Sequence, residues 1–381
     1  MQNLSCKTCG GCPLRHLNKE QYETEKLSDF KQIISSVKCS DIKFDAPIFI
    51  EDGSRRRADM EFCVDKKGVS LGFNEAKSHN LVDIQICPML SAKLNALLPN
   101  LHDFIKEFSS IALFIKKNKI NTEKVYIKKG SIRLLEADNG IDIFLILPTD
   151  INVEHRMLIA EFVNLNQDII RFSYSVNNSS SEVIVSKSSP KLYIKDYEID
   201  IPTASFLQAS KDAENKMIDK MLSYMLNTKG KIADLFCGLG TFTYPLSINK
   251  SNKITSIDSS PISLSGLQKA IAFNQIHNVK VLNRNLFKDP LDEAELKEFD
   301  ALVIDPPRAG AHEQGRKLLQ LPNSDKPQKI VFISCNPQTF IFDANILIDA
   351  SYKLTNITLI DQFVYSSHME LIALFTLTPD K

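Results

Sequence analysis

Two periodicities divide the chain. Over residues 17–37 the apolar positions Leu17, Tyr22, Leu27, Phe30, Ile33 and Ile34 recur at helical spacing and predict an amphipathic helix. Residues 44–86 alternate polar and apolar through RRRADMEFCV and GVSLGF, with breaks at Gly53 and Lys66-Lys67-Gly68, and predict antiparallel strands. Residues 92–118 read as a helix. Residues 124–147 read as a strand pair turning at Asp138-Asn139-Gly140, and residues 154–165 as a further helix. The polar run 177–181 is a loop, and a short hairpin at 192–201 precedes a change of rhythm. From residue 202 onward KIADLFC, KITSIDS, KVLNRN, ALVIDPP and KIVFISC are short apolar runs separated by helical or loop segments. That pattern predicts an α/β, doubly wound, Rossmann-like parallel sheet that binds its ligand at the carboxyl ends of its strands. The chain is therefore expected to divide at 1–201 and 202–381, with a mixed α/β region first and the helix of about 17–37 able to dock on the later domain.

Length and charge narrow the picture. At 381 residues and 43% hydrophobic content there is enough apolar material for two cores. The 46 basic and 46 acidic residues cancel, so a polyanionic partner must be met by a local patch. No apolar run reaches the roughly 18 residues of a membrane span, and Met1 to Cys6 lack the apolar stretch of a secretory leader, so a cytoplasmic location is expected.

Cysteine usage carries the first chemistry. Cys6, Cys9 and Cys12 at C-x-x-C-x-x-C spacing, with Cys87 far downstream, supply four thiolates suited to a [4Fe–4S] cluster or to tetrahedral zinc. A tight triplet plus one remote cysteine favours the cluster, in an architectural role. Cys39 and Cys63 read as incidental thiols.

Cys335 differs from these. It stands where the strand KIVFIS stops and the helix TFIFDANILIDA begins, and the free N–H groups of that helix are expected to favour its thiolate. Asp305-Pro306-Pro307-Arg308 leaves another apolar strand, so Asp305 should project at the carboxyl edge. Asp234-Leu235-Phe236-Cys237-Gly238-Leu239-Gly240 supplies a glycine turn after the first strand, and Asp258 an acid after the second. Thr243 stands where a dinucleotide fingerprint would place its third glycine. Cys237 is expected to be packed. Arg55-Arg56-Arg57 lies in a strand, where Arg55 and Arg57 should share a face and could meet phosphate.

At this point the chain resembles the S-adenosylmethionine-dependent uridine-C5 methyltransferases of ribosomal and transfer RNA. The resemblance rests on Cys9-Gly10-Gly11-Cys12, Arg55-Arg56-Arg57-Ala58, Cys87-Pro88, Phe206-Leu207-Gln208, the 234–240 loop, Asp305-Pro306-Pro307-Arg308, Ser334-Cys335-Asn336-Pro337 and His368-Met369-Glu370, in that order. It implies that Cys335 is a nucleophile adding to uracil C6 and Glu370 the general base that removes the C5 proton. It places S-adenosylmethionine at Gln208, Phe236, Gly238, Gly240, Thr241, Asp258, Asn285 and Asp305, with Gln208 or Asp305 also able to hold the uracil edge. It implies RNA contact at Arg55, Arg56 and Arg57, and a [4Fe–4S] cluster on Cys6, Cys9, Cys12 and Cys87. The likeness to shorter cluster-bearing members implies 23S rRNA as partner, with the tRNA T-loop as the alternative, and a monomer. Two other readings compete. An amino methyltransferase would carry an aromatic residue where Arg308 stands and would need no Cys335. An iron–sulfur RNA-binding protein without activity would need no nucleophile, base and cofactor loop together.

Overall fold

The computed structural model describes residues 8–76, 78–116, 122–177 and 179–378. In chain order the elements are α1 (Lys19–Ile34), β1 (Lys43–Phe44), β2 (Ile48–Phe49), β3 (Arg57–Asp65), β4 (Gly68–Asn74), β5 (Leu81–Asp83), α2 (Ala92–Phe108), β6 (Ala112–Lys116) and β7 (Thr122–Tyr126). They continue with β8 (Lys129–Ala137), β9 (Gly140–Leu147), α3 (Val153–Leu165), β10 (Ile169–Val176), β11 (Glu182–Ser186), β12 (Lys191–Ile194), β13 (Tyr197–Asp200), α4 (Lys211–Tyr224) and β14 (Lys231–Leu235). The last stretch holds α5 (Thr243–Ser247), β15 (Lys253–Asp258), α6 (Pro261–Phe273), β16 (Val279–Asn283), α7 (Glu293–Leu296), β17 (Ala301–Ile304), α8 (His312–Gln320), β18 (Lys329–Ser334), α9 (Pro337–Asp349), β19 (Tyr352–Asp361) and β20 (Glu370–Leu377).

A single cut at 201/202 does not describe the result. One compact unit comprises residues 1–13, 51–192 and 200–210, and the other residues 14–50, 193–199 and 211–381. The physical reason lies in what α1, β1 and β2 bury. Phe30 and Ile34 of α1 join the apolar core of the second unit, and β1 and β2 pair with β19, so this early stretch completes the later fold.

The first unit is a seven-stranded sheet in the order β11-β10-β9-β8-β3-β4-β5. Leu94, Leu97, Leu98, Leu101, Phe104, Ile105 and Phe108 form the buried stripe of α2, and with Ile159, Phe162 and Val163 of α3 they share the core of the sheet. The turn at Asp138-Asn139 joins β8 to β9 as expected, with Ala137 opposite Gly140. The helix expected over 92–118 ends at Phe108, where Ser109 caps it, and Ala112–Lys116 turns to strand. Leu113 points into the core while Phe114 points out, a period of two that the longer helical reading had absorbed.

The second unit is a nine-stranded sheet in the order β1-β19-β20-β18-β17-β14-β15-β16, with β2 also on β19. Strands β14 to β18 run parallel, as the alternating pattern predicted. The sheet is not parallel throughout: β20 is antiparallel to both β18 and β19. Residues 362–369 between β19 and β20 are too few for a crossover helix, which takes roughly a dozen residues, so the chain returns as a hairpin. Strand order reverses between β14 and β17, the place where such sheets open a ligand crevice. No helix of the described residues is long and apolar enough to cross a membrane.

Candidate active site

The carboxyl ends of β14 to β18 and the first residue of β20 carry the second unit's candidate residues, and register explains how two of them meet. Ser334 at the end of β18 pairs with Leu371 of the antiparallel β20. Continuing that register by one residue sets Cys335 opposite Glu370, the first residue of β20. The short return that breaks the parallel rule is thus what brings residues 35 positions apart together (370 − 335).

Their electrostatics agree. The Cys335 thiol is pushed up, first by burial and then by the charges of Glu370 and Asp305, while Arg308 pulls it down. The sequence had suggested the opposite sign from the helix N-terminus, but burial and two nearby carboxyls outweigh it. Glu370 is 5% exposed, and burial, with a contribution from Asp305, pushes its carboxyl up to about 8. Burial raises Asp305 to about 7. The Gln362 amide donates to the Glu370 carboxylate and opposes the rise. Two carboxyls that exchange protons near neutrality therefore lie within the field of a thiol that burial and those same carboxyls hold protonated.

The loop after β14 is wound through left-handed backbone. Phe236, Gly238 and Gly240 have φ of 62°, 53° and 98°. A side-chain Cβ at Gly238 would meet nothing within 4 Å, so that turn faces open space and exposes backbone to a ligand. Its N–H donates to the Asp258 carboxylate at 2.9 Å, and Ser260 N–H to the other oxygen at 2.7 Å, which fixes the acid beneath the loop. Thr243, in place of a third glycine, donates its hydroxyl to the buried Asp234 carboxylate and lies 2.8 Å from the Ser256 hydroxyl. That clasp ties the loop to β14 and β15. Cys237 is 6% exposed, consistent with a packed thiol. Thr241 is partly exposed beside the loop. Asn285 accepts the N–H groups of Phe287 and Lys288 at 3.1 and 3.3 Å, and the Phe287 ring lies 5.4 Å from that of Phe236.

The Asp305 loop is held as firmly. Asp305 N–H donates to Leu235 O at 3.2 Å across the switch point. Asn336 caps α9 through Gln338 N–H at 3.1 Å and donates to Arg308 O at 3.3 Å, while Asp343 accepts Ala311 N–H at 3.0 Å and contacts His312 at 2.6 Å.

In the first unit the arginine run has a different task from the one its sequence suggested for Arg56. Arg56 is 4% exposed and its Nε donates to Gln208 O at 3.0 Å, so it cannot present its guanidinium to solvent phosphate. Arg57 donates to Leu207 O at 3.0 Å and lies 4.6 Å from the Phe206 ring centre, and Arg55 Nε donates to Arg57 O at 2.9 Å. The run fixes the segment carrying Gln208. Burial of Gln208, at 8% exposed, follows from the same arrangement.

Cys6 lies outside the described residues, and among those described no three metal-ligating side chains converge. Cys9 nevertheless lies within the electrostatic reach of Cys87 and Arg55, and its Sγ accepts Gly11 N–H at 3.4 Å. Backbone pairing of Cys9 with Glu75 and of Gly10 with Asn74 fixes that turn on the end of β4.

Comparison with known proteins decides the family. Residues 190–377 match the model of the tRNA (uracil-5-)-methyltransferases. An RNA methyltransferase of Agrobacterium fabrum is 32% identical over 369 residues, covering 96% of this chain and 82% of that protein. The chain belongs to the RNA uracil-C5 methyltransferases. The 23S rRNA (uracil(1939)-C(5))-methyltransferase RlmD of Vibrio parahaemolyticus is 29% identical, over 96% of this chain and 80% of its own length. The crystal structure of Pyrococcus abyssi tRNA (uracil-54, C5)-methyltransferase in complex with S-adenosyl-L-homocysteine shares the fold, with a TM-score of 0.73 at 24% identity over 97% of this chain and 86% of that one. Membership makes the chain an S-adenosylmethionine-dependent enzyme of RNA.

Four side chains near the site were not legible as contributors. Gln362 and Phe287 act through a hydrogen bond and a ring contact that no motif encodes. Lys26 and Tyr22 reach it from α1: Lys26 donates to Ser366 O and His368 O at 2.6 and 2.5 Å and lies 3.3 Å from Asp361, which also accepts the Tyr22 hydroxyl. A lysine on the buried stripe of α1, at four-residue spacing with Tyr22, Phe30 and Ile34, was the available signal.

Proposed function

We propose that this enzyme methylates C5 of a uridine in 23S rRNA through a covalent bond between Cys335 and uracil C6, with Glu370 as general base. The observation that carries the reading is the facing register of Cys335 and Glu370 beside Asp305. The relative named for 23S rRNA supports the choice of RNA.

Uracil C5 is too weak a nucleophile to take a methyl group unaided. Cys335, after losing its proton, adds to C6 and pushes electron density through the C5–C6 bond onto C5 and the C4 oxygen. Phe236, Gly238, Gly240, Thr241, Asp258, Asn285 and Asp305 would hold S-adenosylmethionine, which would supply the electrophilic methyl to C5 and leave as S-adenosylhomocysteine; Gln208 or Asp305 would steady the uracil edge. Glu370 then takes the C5 proton, the C6–S bond breaks, and the double bond returns. A carboxylate raised to about 8 is a stronger base than an exposed one, which suits this abstraction. Arg308 favours the thiolate.

The direct test is to incubate the enzyme with S-adenosylmethionine and unmodified 23S rRNA or tRNA and to locate 5-methyluridine by mass spectrometry. Methylation of rRNA alone is expected. Methylation of tRNA alone would replace the assigned substrate and leave the chemistry standing.

Glu370→Gln is expected to lower turnover about 10²- to 10⁴-fold, with addition retained and release slowed in single-turnover assays. The same change should stabilise the fold above neutrality. Because the folded carboxyl titrates near 8 instead of 4.5, the native state binds the extra proton between those values. Its stability therefore falls as pH rises through that window, by an amount on the order of a few kcal/mol. Removing the carboxylate removes the fall, which denaturant titrations of both proteins at pH 5 and pH 9 would display.

Cys6, Cys9, Cys12 and Cys87 are assigned to a [4Fe–4S] cluster. The adjacency of Cys9 and Cys87 and the N–H donated to Cys9 Sγ fit thiolate ligation, and the cluster would cross-link the N-terminal turn to the sheet. Anaerobically purified protein should contain iron and labile sulfide, both lost in Cys87→Ala. Zinc without sulfide would overturn the assignment.

A further inference from the structure

Residues 112–129 hold six lysines, at 116, 117, 119, 124, 128 and 129, against one acid, Glu123, a net of +5 (6 − 1) in a chain whose total is zero. Part of this segment is the hairpin of β6 and β7, whose strands pair only with each other among the described residues. Its register sets Ala112 opposite Tyr126, Leu113 opposite Val125, and Phe114 opposite Lys124. Alternation then sorts the side chains. Leu113, 6% exposed, and Val125 face the core of the first unit. Phe114, Lys124 and Tyr126 share the other face, and Glu123 by alternation falls with Leu113 and Val125.

That outer face combines features rarely left to solvent without use. Phe114 is 71% exposed and Tyr126 41%. The Lys124 and Lys128 ammonium groups lie 5.4 and 5.3 Å from the Tyr126 ring centre, and that of Lys128 also donates to Ser109 O at 2.9 Å. Aromatic rings flanked by cations are the elements that hold unpaired nucleic acid, the rings stacking on bases and the cations meeting phosphates. A groove for an apolar helix would carry no such charge, and a duplex groove would offer Phe114 no exposed base face.

We propose that this face is a second RNA-contact surface, binding an unpaired stretch of the substrate RNA through stacking on Phe114 and Tyr126 and a phosphate contact from Lys124. The proposal rests on the RNA reading of the active site only in naming that RNA as the substrate.

The test uses the full enzyme and two variants, Phe114→Ala and Lys124→Gln, neither of which touches the buried face. Affinity for a fluorescein-labelled single-stranded oligouridine and for a 23S rRNA fragment is measured across salt concentrations, and methylation by steady-state kinetics. Phe114→Ala is expected to weaken binding about 5- to 150-fold. Lys124→Gln should reduce the slope of log affinity against log salt by about 0.7. Both should raise KM for RNA and leave kcat at saturating RNA unchanged. Parental affinity and salt slope in both variants, with thermal melts confirming the fold, would overturn the proposal. An rRNA fragment that binds and is methylated normally while the hairpin variants behave as parent would leave the Cys335 chemistry intact, so the two readings fail separately.

Discussion

Cys335→Ala is expected to reduce methyl transfer to RNA to background while leaving S-adenosylmethionine and RNA binding in place. The alternatives to covalent activation are few in this site. No other described cysteine stands beside Glu370, and Cys237, the nearest in the chain among the strand ends, is buried with its thiol pushed well above its ordinary value. Without a bond to C6, C5 remains a poor nucleophile whatever the geometry of the methyl donor. The parent enzyme should also show kcat/KM climbing with pH from neutrality through about 8. Cys335 must lose a proton that burial and the neighbouring carboxyls retain, and Glu370 must be ionised to act as base. Both requirements favour alkaline conditions. A flat profile from pH 6 to 9, measured on kcat/KM with saturating S-adenosylmethionine, would contradict the electrostatics described for this trio.

Lys26→Met should be the most destabilising single change outside the apolar cores. Lys26 is 1% exposed, and its ammonium donates to Ser366 O and His368 O and forms an ion pair with Asp361 at 3.3 Å. Removing it leaves two carbonyls and a carboxylate buried without their cation. Breaking one side of a buried ion pair in this way costs about 3–5 kcal/mol. For a unit of this size that corresponds to a fall in Tm of about 10 °C. The damage would be concentrated in residues 362–369, which deliver Glu370 to Cys335, so turnover should fall with stability. Lys26→Met combined with Asp361→Asn should recover part of the loss, because the orphaned carboxylate is then gone. Unchanged thermal melting in the single variant would show that α1 does not secure this segment.

How much of this was legible before the structure varies by element, and the reasons are physical. The central strands β14, β17 and β18 announce themselves as short apolar runs, followed by Gly238, Pro306 and Pro337, because burial on both faces and the ligand crevice dictate those residue types. Cys335 and Asp305 were placed at strand ends by the same logic. The antiparallel return of β20 was not legible, since an apolar run reads the same in either direction and only the length of 362–369 decides it. The sign of the Cys335 shift was misjudged because the helix field is local and visible in sequence, whereas the opposing carboxyl of Glu370 arrives by tertiary pairing. The burial of Arg56 was hidden for a related reason: a run of three arginines looks like a solvated face, and the Gln208 carbonyl that accepts from its guanidinium arrives from a segment 152 residues away. The amphipathic pattern of α1 allowed it to dock on the later domain, but the pairing of the two-residue strands β1 and β2 with β19 was not legible, because so short a run carries no periodicity.

The central claim is a covalent bond between Cys335 and uracil C6, and the most direct measurement traps it. Enzyme is incubated with S-adenosylmethionine and substrate RNA carrying 5-fluorouridine, whose fluorine Glu370 cannot remove as it removes a proton, so elimination stalls after methyl transfer. A denaturant-resistant protein–RNA adduct, with the modified nucleotide mapped to Cys335 by mass spectrometry and absent in Cys335→Ala, is the predicted result. Methyl transfer to normal RNA with no adduct on the fluorinated RNA, or an adduct of equal yield in Cys335→Ala, would contradict it.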